Sequence, residues 1–246
     1  MLDWFAAFFC FYSGVCGMDA CRDVTYTGDD YQVCSYRVAD VSVSLFHADK
    51  DGKAFGSLSN VKRSLTNRPL MLMNGGIYHE DLAPVGLYVE EGEEKQRIST
   101  KGGWGNFHLL PNGVFWVKDG VPQVLATQDY RKKDRGPDFA TQSGPMLVIN
   151  GQLHPRFIEG SDSLKIRNGV GVSEDRRWVH FAISKGAVNF WNFGKLFQEE
   201  LQTHNALFLD GTVSSLRTVK IRRGGWRQIG PIIGVFEKNR TREPKG

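Results

Sequence analysis

One stretch of the chain decides how the rest is interpreted: Ala206-Leu207-Phe208-Leu209-Asp210-Gly211-Thr212-Val213-Ser214-Ser215. Its apolar residues predict a buried strand that delivers the carboxylate of Asp210 at its end, and a glycine and hydroxyl side chains follow. Enzymes commonly place their chemistry on loops at the ends of strands. Asp210 is therefore a candidate catalytic residue, and the alternative interpretation is an aspartate that caps a turn.

Three other segments share this character, because each combines glycines with polar side chains close to an apolar run. They are residues 72–76 (Leu-Met-Asn-Gly-Gly), 141–145 (Thr-Gln-Ser-Gly-Pro) and 167–171 (Arg-Asn-Gly-Val-Gly). Paired glycines let backbone N–H groups approach an oxyanion, and a guanidinium offers a planar fork for two phosphate oxygens. We expect Asn74, Ser143, Arg167 and Asp210 to converge on one cleft. For Asn74 the alternative is a plain Asn-Gly turn, and for Arg167 it is an ordinary surface arginine.

Length and composition predict one folded domain. The chain has 246 residues, of which 41% are hydrophobic and 24% are charged, so it can bury a sizeable core. Its net charge of +4 suits an anionic substrate, but basic and aromatic residues form no stripe of the kind that binds nucleic acid. The sequence lacks a Walker phosphate loop, a dinucleotide-binding glycine motif and a His-Glu-x-x-His zinc helix. We therefore expect no nucleic-acid partner, no cofactor and no metal site, although a bound divalent cation is compatible with the sequence.

Short strands and a few helices account for the pattern of the middle of the chain. Residues 41–45 alternate apolar and polar, residues 146–153 predict a hairpin with an Asn-Gly turn, and residues 178–184 predict another strand. Apolar spacing predicts one helix near residues 58–65, capped by Ser57, and a second over residues 193–201. Helices and strands do not alternate regularly. The sequence therefore predicts an α+β fold with a mixed, mostly antiparallel sheet and a few packed helices.

The two ends of the chain differ from its middle. Residues 4–12 form an apolar run that is too short to span a bilayer and fits the core of a secretion signal, although no Lys or Arg precedes it. The alternative is an N-terminal core segment. We predict a secretion signal over residues 1–20, a domain over residues 21–238 and a polar tail over residues 239–246. The mature protein would be periplasmic or secreted and would keep no stable membrane span.

All four cysteines lie within the first 34 residues of the chain. Removal of the signal would discard Cys10 and Cys16 and leave Cys21 and Cys34 as a lone pair. A lone pair in an oxidising compartment readily forms a disulfide, so we predict a bridge between Cys21 and Cys34. The alternative is two reduced structural cysteines. Two thiols without further nearby ligands are a poor zinc site.

Several motifs, taken in order, resemble the bacterial branch of the phosphodiester glycosidase family. They are residues 21–34 with their two cysteines, 74–76 (Asn-Gly-Gly), 84–88 (Pro-Val-Gly-Leu-Tyr), 105–107 (Gly-Asn-Phe), 111–115 (Pro-Asn-Gly-Val-Phe), 140–145, 167–171 and 210–211 (Asp-Gly). The resemblance covers most of the chain. It implies the fold of that family and an exported hydrolase that cleaves the glycosidic bond of a glycosyl-1-phosphodiester.

The resemblance also implies a set of site residues. Asp210 would act at the anomeric carbon and Arg167 would hold the phosphate. His79 is a third candidate catalytic residue, because it closely follows a Gly-Gly pair and can transfer a proton. The candidate substrate-binding residues are Asn74, Gly75, Gly76, Gln142, Ser143, Gly144, Asn168 and Gly211. We do not expect Ser143 to be a nucleophile, because the Gly-x-Ser-x-Gly elbow is missing.

Two other functions fit the same residues. One is a noncatalytic protein that binds glycans or assists exopolysaccharide assembly, and a cleft without an Asp210–Arg167 pair would favour it. The other is a glycosidase that acts on a polysaccharide without phosphate. That enzyme would need two carboxylates roughly 5–9.5 Å apart. A phosphodiester glycosidase needs a basic group facing its carboxylate instead.

Overall fold

A computed structural model of the chain describes residues 20–133, 136–211 and 213–238. All but the last residue of the predicted secretion signal, and the whole predicted polar tail, lie outside these described residues. Within them, no helix combines the length and the apolar character that crossing a bilayer requires.

Strands make up most of the described chain. In chain order they are β1 (Cys21–Tyr26), β2 (Asp29–Arg37), β3 (Val41–Phe46), β4 (Met71–Asn74), β5 (Tyr88–Glu90), β6 (Glu93–Gln96), β7 (Gly113–Lys118), β8 (Val121–Ala126), β9 (Phe139–Ser143), β10 (Met146–Ile149), β11 (Gln152–Leu153), β12 (Asn168–Ser173), β13 (Trp178–Ser184), β14 (Thr203–Asp210), β15 (Leu216–Thr218), β16 (Arg222–Arg223) and β17 (Ile232–Glu237). The helices are α1 (Leu58–Ser64), α2 (Thr127–Arg131) and α3 (Phe190–Lys195), with a 3-10 turn at Asn106–His108 and a π-helical turn at Leu196–Glu200.

The strands form three sheets. The first has the order β1-β2-β13-β12-β14-β10-β11, the second β16-β15-β4-β17-β3, and the third β6-β5-β9-β7-β8. Every pairing between strands in the described residues is antiparallel, so the parallel pairs that a mixed sheet implies do not occur there. The prediction of a mostly antiparallel fold with a few helices is confirmed, and sheet dominates over helix more than the term α+β suggests.

The three sheets share one hydrophobic core. Phe181 of the first sheet, Val235 of the second and Phe115 of the third belong to the same buried cluster. A second cluster lies on the opposite face of the first sheet, where α3 and the π-helical turn cover it with Phe193 and Phe197. Burial of this apolar surface, at about 25 cal/mol per Å², is the main source of stability. The common core therefore fixes where the strand ends of different sheets lie relative to one another.

Two glycines of β12 allow α3 and the π-helical turn to pack closely on that strand. A Cβ at Gly171 would lie 2.8 Å from Cδ1 of Phe197, and one at Gly169 would lie 3.2 Å from Cε1 of Phe193. Side chains alternate across a strand, so Arg167, just before β12, faces this same helix-covered side. Asn168 faces the opposite side.

The predicted helices and hairpin form where the sequence indicates them. Ser57 caps α1, because its side chain accepts a hydrogen bond of 3.1 Å from the N–H of Asn60. The second predicted helix is α3 with the π-helical turn that continues it. The predicted hairpin is the β10–β11 pair, and its turn residues Asn150 and Gly151 have φ angles of 49° and 78°.

Cys21 and Cys34 form the predicted disulfide. The two residues face each other across the antiparallel pair of β1 and β2. Cys34 lies in the core that the three sheets share. The bridge therefore ties the edge strand β1 to a strand that is anchored in that core.

Candidate active site

Four of the predicted site residues lie at strand ends that meet. Asn74 ends β4, Ser143 ends β9, Asn168 begins β12 and Asp210 ends β14. Asn168 and Asp210 are direct partners across the β12–β14 pair, next to an irregularity in its register. The hydroxyl of Ser143 donates a hydrogen bond of 2.7 Å to the carbonyl of Leu209. The structure thus brings together residues that lie up to 136 positions apart in the sequence, from residue 74 to residue 210.

Two asparagines connect the second sheet to the first at this point. Nδ2 of Asn168 donates to Oδ1 of Asn74 over 3.0 Å and to its backbone carbonyl over 3.1 Å. The backbone N–H of Ser215 also donates to Oδ1 of Asn74, over 2.7 Å. Because a backbone N–H can only donate, this contact fixes the orientation of the Asn74 amide. Its Nδ2 is buried without a hydrogen-bond partner among the described residues.

Asp210 is held in place through its backbone and through one carboxylate oxygen. Its N–H donates to Oδ1 of Asn168 over 3.0 Å, and its Oδ1 accepts a hydrogen bond of 2.5 Å from the N–H of Gly211. The hydroxyl of Ser214 donates to the backbone carbonyl of Asp210 over 2.9 Å. The residue is half-buried. The sequence therefore folds so that a fixed carboxylate stands at the junction of two sheets.

The Gly75-Gly76 pair allows the end of β4 to approach β9. A Cβ at Gly76 would lie 2.4 Å from the carbonyl oxygen of Gln142. The N–H of Gly75 donates to the carbonyl of Pro231 over 2.7 Å, so the fold already uses this N–H group. These contacts give the glycines a packing role. A role in binding the substrate stays a prediction.

Gln142 anchors the loops around the site. Its Oε1 accepts hydrogen bonds from the N–H groups of Leu87 and Ser99, and its Nε2 donates to the carbonyl of Ser99 and the hydroxyl of Thr127. The side chain is buried and its hydrogen-bonding atoms are paired within the protein. Gly144 is equally constrained, because a Cβ there would lie 2.6 Å from Cβ of Asn112. Substrate contacts by these two residues stay predictions.

Arg167 lies away from the two asparagines, on the helix-covered side of β12. Its side chain is buried, with 1% of the residue exposed. Nε donates to the carbonyl of Val188 over 2.9 Å, and Nη2 donates to the carbonyl of Ser163 over 2.8 Å. The guanidinium carbon lies 3.6 Å from the ring centroid of Phe190. Nη1 is buried without a hydrogen-bond partner in the described part of the chain.

The guanidinium of Arg167 is a buried positive charge next to the strand that carries Asp210. Its carbon lies 5.6 Å from the ring centroid of Phe208, two residues before Asp210. None of its hydrogen bonds in the described residues reaches Asp210. Burial lowers the pKa of Arg167 to about 10, because the charged form loses hydration that the protein replaces only in part. An anion beside Nη1 would compensate both the charge and the unpaired N–H group.

His79 is exposed and lies in a turn after the Gly-Gly segment. Its backbone N–H donates to the carbonyl of Ala83 over 2.8 Å, and its backbone carbonyl accepts from the N–H of Leu82 over 2.8 Å. These contacts place the residue on the surface beside the site segment. Its role in proton transfer stays a prediction.

Sequence reasoning missed Tyr78 and Arg227. Burial, together with the negative charge of Asp210, raises the pKa of Tyr78 to about 12, and the positive charge of Arg227 opposes that shift. Both charges therefore lie close to the phenol. The hydroxyl of Tyr78 donates to the carbonyl of Gln228 over 2.8 Å. A Gly-Gly pair also precedes Trp226 and Arg227, and this repetition was the one signal in the sequence that could have pointed to the segment.

Metal ligands are not grouped in the part of the chain that the structure describes. No three His, Cys, Asp or Glu side chains there lie close enough together to hold a metal ion. The expectation that the protein works without a cofactor stays a prediction.

Comparison with known proteins identifies the family. The sequence profile of the phosphodiester glycosidase family matches residues 67–236, a range that includes Asn74, Arg167 and Asp210. The uncharacterized protein YigE of Escherichia coli is 38% identical over 176 residues, which cover 71% of this chain and 68% of YigE.

Two solved structures share the fold. The catalytic domain of zebrafish N-acetylglucosamine-1-phosphodiester alpha-N-acetylglucosaminidase, auto-inhibited by its pro-peptide, superposes with a TM-score of 0.62 at 15% identity, over 89% of this chain and 82% of that one. A hypothetical protein from Synechocystis superposes with a TM-score of 0.57 at 14% identity, over 89% of this chain and 61% of that one. The match to the family profile and the identity to YigE together show that this chain belongs to the phosphodiester glycosidase family.

Proposed function

We propose that the protein is an exported hydrolase that cleaves the glycosidic bond of a glycosyl-1-phosphodiester. One observation carries this proposal: among the described residues, two predicted site residues keep a buried donor unpaired, namely Asn74 with Nδ2, at the junction of two sheets, and Arg167 with Nη1, on the helix-covered side of β12. An unpaired buried donor costs about 1–3 kcal/mol, and native structures keep few of them. A hydroxyl or phosphate oxygen would satisfy Nδ2 of Asn74, and an anionic oxygen would satisfy Nη1 of Arg167.

Asp210 is the residue that acts at the anomeric carbon in this proposal. Cleavage of a glycosidic bond develops positive charge at that carbon, and a fixed carboxylate stabilises it as nucleophile, base or counter-charge. A phosphodiester leaving group is already a weak base, so the reaction depends less on a proton donor than ordinary glycoside hydrolysis does. The hydrogen bonds from Gly211 and Asn168 hold Asp210 in position before the substrate arrives.

Arg167 is the residue that recognises the phosphate in this proposal. Its guanidinium lies in a poorly hydrated environment, where an electrostatic interaction is much stronger than in water. Two of its nitrogen atoms are fixed by the carbonyls of Val188 and Ser163, and this arrangement leaves Nη1 to donate to a phosphate oxygen. Because Nη1 is buried, the residues that cover it have to move to admit the phosphate.

Export is supported by the disulfide between Cys21 and Cys34. Disulfides persist in the periplasm and outside the cell, and are rare in the cytosol. An exported enzyme would meet sugar phosphodiesters of surface glycans. The proposed location is therefore the periplasm or the extracellular space.

A noncatalytic glycan-binding protein is the second candidate, and the position of Arg167 favours it. The hydrogen bonds of the guanidinium go to Val188 and Ser163, so the direct Asp210–Arg167 pair expected of the enzyme is not formed in the described residues. In that case Asn74 and Arg167 would bind a glycan phosphate and Asp210 would not turn it over.

The test is incubation of the purified protein with a panel of sugar-1-phosphodiesters, with released reducing sugar as the readout. We expect release from at least one member of the panel and none with the Asp210→Asn variant. Binding without release, measured by calorimetry on the same panel, would establish the glycan-binding alternative. If no member of the panel is bound or hydrolysed, both candidate functions are contradicted.

A further inference from the structure

The loop after Asp210 leads into a strongly basic part of the chain. We call residues 216–228 the basic arm; it consists of β15, β16 and the Gly-Gly-Trp-Arg-Gln segment that follows. The arm contains five Lys or Arg residues and no Asp or Glu. Its cations are Arg217, Lys220, Arg222, Arg223 and Arg227.

The surface next to the basic arm has the same sign of charge. Residues 53–78 contain four Lys or Arg residues and no Asp or Glu, and β4 of this range pairs with β15 of the arm. Lys62, Arg68 and Arg217 line one small crevice between α1 and β15. None of these three takes part in a salt bridge in the described residues. This side of the protein therefore attracts anions over a range longer than one contact.

The basic arm packs directly against residues of the candidate site. The N–H of Gly225 donates to the hydroxyl of Ser215 over 3.1 Å, and Ser215 in turn donates to Asn74. A Cβ at Gly224 would lie 2.2 Å from the carbonyl oxygen of Ser214, so the backbone of the arm lies against the loop that follows Asp210. The opposing effects of Asp210 and Arg227 on the pKa of Tyr78 agree with this proximity.

Trp226 is exposed to solvent near the C-terminal end of the arm. It is 95% exposed, and Arg227 follows it. An indole ring gains free energy when another group covers its apolar face, and Trp and Arg are the residues most enriched in binding hot spots. The face of a sugar ring is such a group, and a guanidinium pairs with a phosphate. An exposed indole beside a guanidinium therefore suits a ligand in which sugar rings alternate with phosphates.

We propose that the basic arm holds a glycan chain with a phosphodiester in each repeat, so that one linkage occupies the Asp210 site while the following repeats lie along the arm. This inference rests on the proposed function, because the arm opens onto the site assigned to a glycosyl phosphodiester. It names the substrate as a polyanionic glycan rather than a small diester. Single-stranded nucleic acid and anionic lipid share the negative charge, and adjacency to the glycosidase site favours the glycan over both.

The experiment measures binding to the Asp210→Asn protein by calorimetry at low salt. Its probes are a synthetic oligomer of several N-acetylglucosamine 1-phosphate repeats and a single repeat capped as a methyl phosphodiester. We expect the oligomer to bind about tenfold more tightly than the single repeat, because additional repeats engage the arm without a second association step. Arg222→Ser combined with Arg223→Ser should abolish most of that advantage. Trp226→Ala should reduce it too, and this replacement should leave the fold intact because the side chain is exposed.

A matched control removes the same charge elsewhere. Lys132→Ser combined with Lys133→Ser alters another exposed basic surface, and it should preserve the ratio of oligomer to single-repeat affinity. An unchanged ratio in both arm variants would overturn the inference. The inference would also be overturned if a single-stranded oligonucleotide, or vesicles with anionic phospholipid, bound more tightly than the glycan oligomer and the same arm variants abolished that binding.

Wild-type turnover separates failure of this inference from failure of the proposed function. Hydrolysis of the single repeat without any binding advantage of the oligomer would reject the role of the arm alone. An arm-dependent binding advantage without hydrolysis of either probe would reject the proposed reaction and keep the arm as a glycan-binding surface.

Discussion

The amide oxygen of Asn168 accepts a hydrogen bond of 3.0 Å from the backbone N–H of Asp210, across the β12–β14 pair. The amide nitrogen of Asn168 simultaneously donates to Asn74 at the end of β4. One buried side chain thus links the strand that carries the carboxylate to a strand of another sheet. The position of Asp210 therefore depends on the assembly of two sheets.

Asp210→Asn should abolish turnover while preserving substrate binding. The replacement keeps an oxygen that can accept the hydrogen bond from the N–H of Gly211, so the loop should retain its shape. It removes the negative charge that stabilises the positive charge developing at the anomeric carbon. We expect kcat to fall by roughly a thousandfold, with KM nearly unchanged, as for an interaction made mainly in the transition state. Steady-state kinetics checks this. A variant that keeps more than a tenth of wild-type kcat would show that Asp210 is not the catalytic carboxylate.

Asn168→Ala should impair both stability and activity. It leaves the N–H of Asp210 without its partner and removes one of the two hydrogen bonds that Oδ1 of Asn74 accepts, at a cost of about 1–3 kcal/mol in the free energy of unfolding. Asn205→Ala is the matched control, because Asn205 lies on the partner strand β14 and its side chain accepts from the N–H of Asn150. Chemical denaturation should show comparable losses of stability for the two variants. Only Asn168→Ala should lower kcat in the folded fraction, and equal kcat values would reject its positioning role.

Gly76→Ala should destabilise the fold at the site. The new Cβ would lie 2.4 Å from the carbonyl oxygen of Gln142, so the end of β4 has to move away from β9. Overpacking of this kind costs about 1–3 kcal/mol. Gly102→Ala is the control, because nothing lies within 4 Å of a Cβ at that position. Thermal unfolding should separate the two variants, and equal midpoints would mean that the close contact is relieved without cost.

Acid should destabilise the protein through His180. Burial lowers the pKa of His180 to about 4 from its ordinary value of 6.5, and the positive charge of Arg22 adds to this shift. Between these two pH values His180 is protonated in the unfolded chain and neutral in the folded protein. The free energy of unfolding therefore decreases as pH falls from about 6.5 towards 4. His180→Asn should flatten the pH dependence of the unfolding free energy in that window. An equally steep dependence in the variant would show that other groups cause it.

The strand ends that carry the site could be predicted from the sequence. Apolar runs followed at once by Asn74 or Asp210 predict that these polar side chains leave the core where a strand stops, and the structure places them at neighbouring strand ends. The convergence depends on packing between sheets, which periodicity does not encode. The expectation of convergence therefore rested on the general tendency of site residues to lie at strand ends around a common opening.

The roles of other residues could not be read from the sequence. Gln142 has the polar side chain of a ligand-binding residue, yet the fold uses its hydrogen-bonding atoms to anchor loops. Adjacent strand residues face opposite sides of a sheet, so the side chains of Arg167 and Asn168 point to different faces. Only the packing of α3 shows that Arg167 lies on the helix-covered face. Tyr78 and Arg227 lie 149 positions apart in the sequence, and only the tertiary structure brings them together.

The most direct test of the account compares two substrates of the same sugar, a phosphodiester and a neutral aryl glycoside, with wild-type protein and with Arg167→Lys. Lysine keeps a positive charge but loses the planar fork that is fixed by Val188 and Ser163. We predict that kcat/KM of the variant falls strongly for the phosphodiester and little for the aryl glycoside. Equal losses on the two substrates would show that Arg167 does not recognise phosphate, and a glycosidase for phosphate-free polysaccharide would then be the better description.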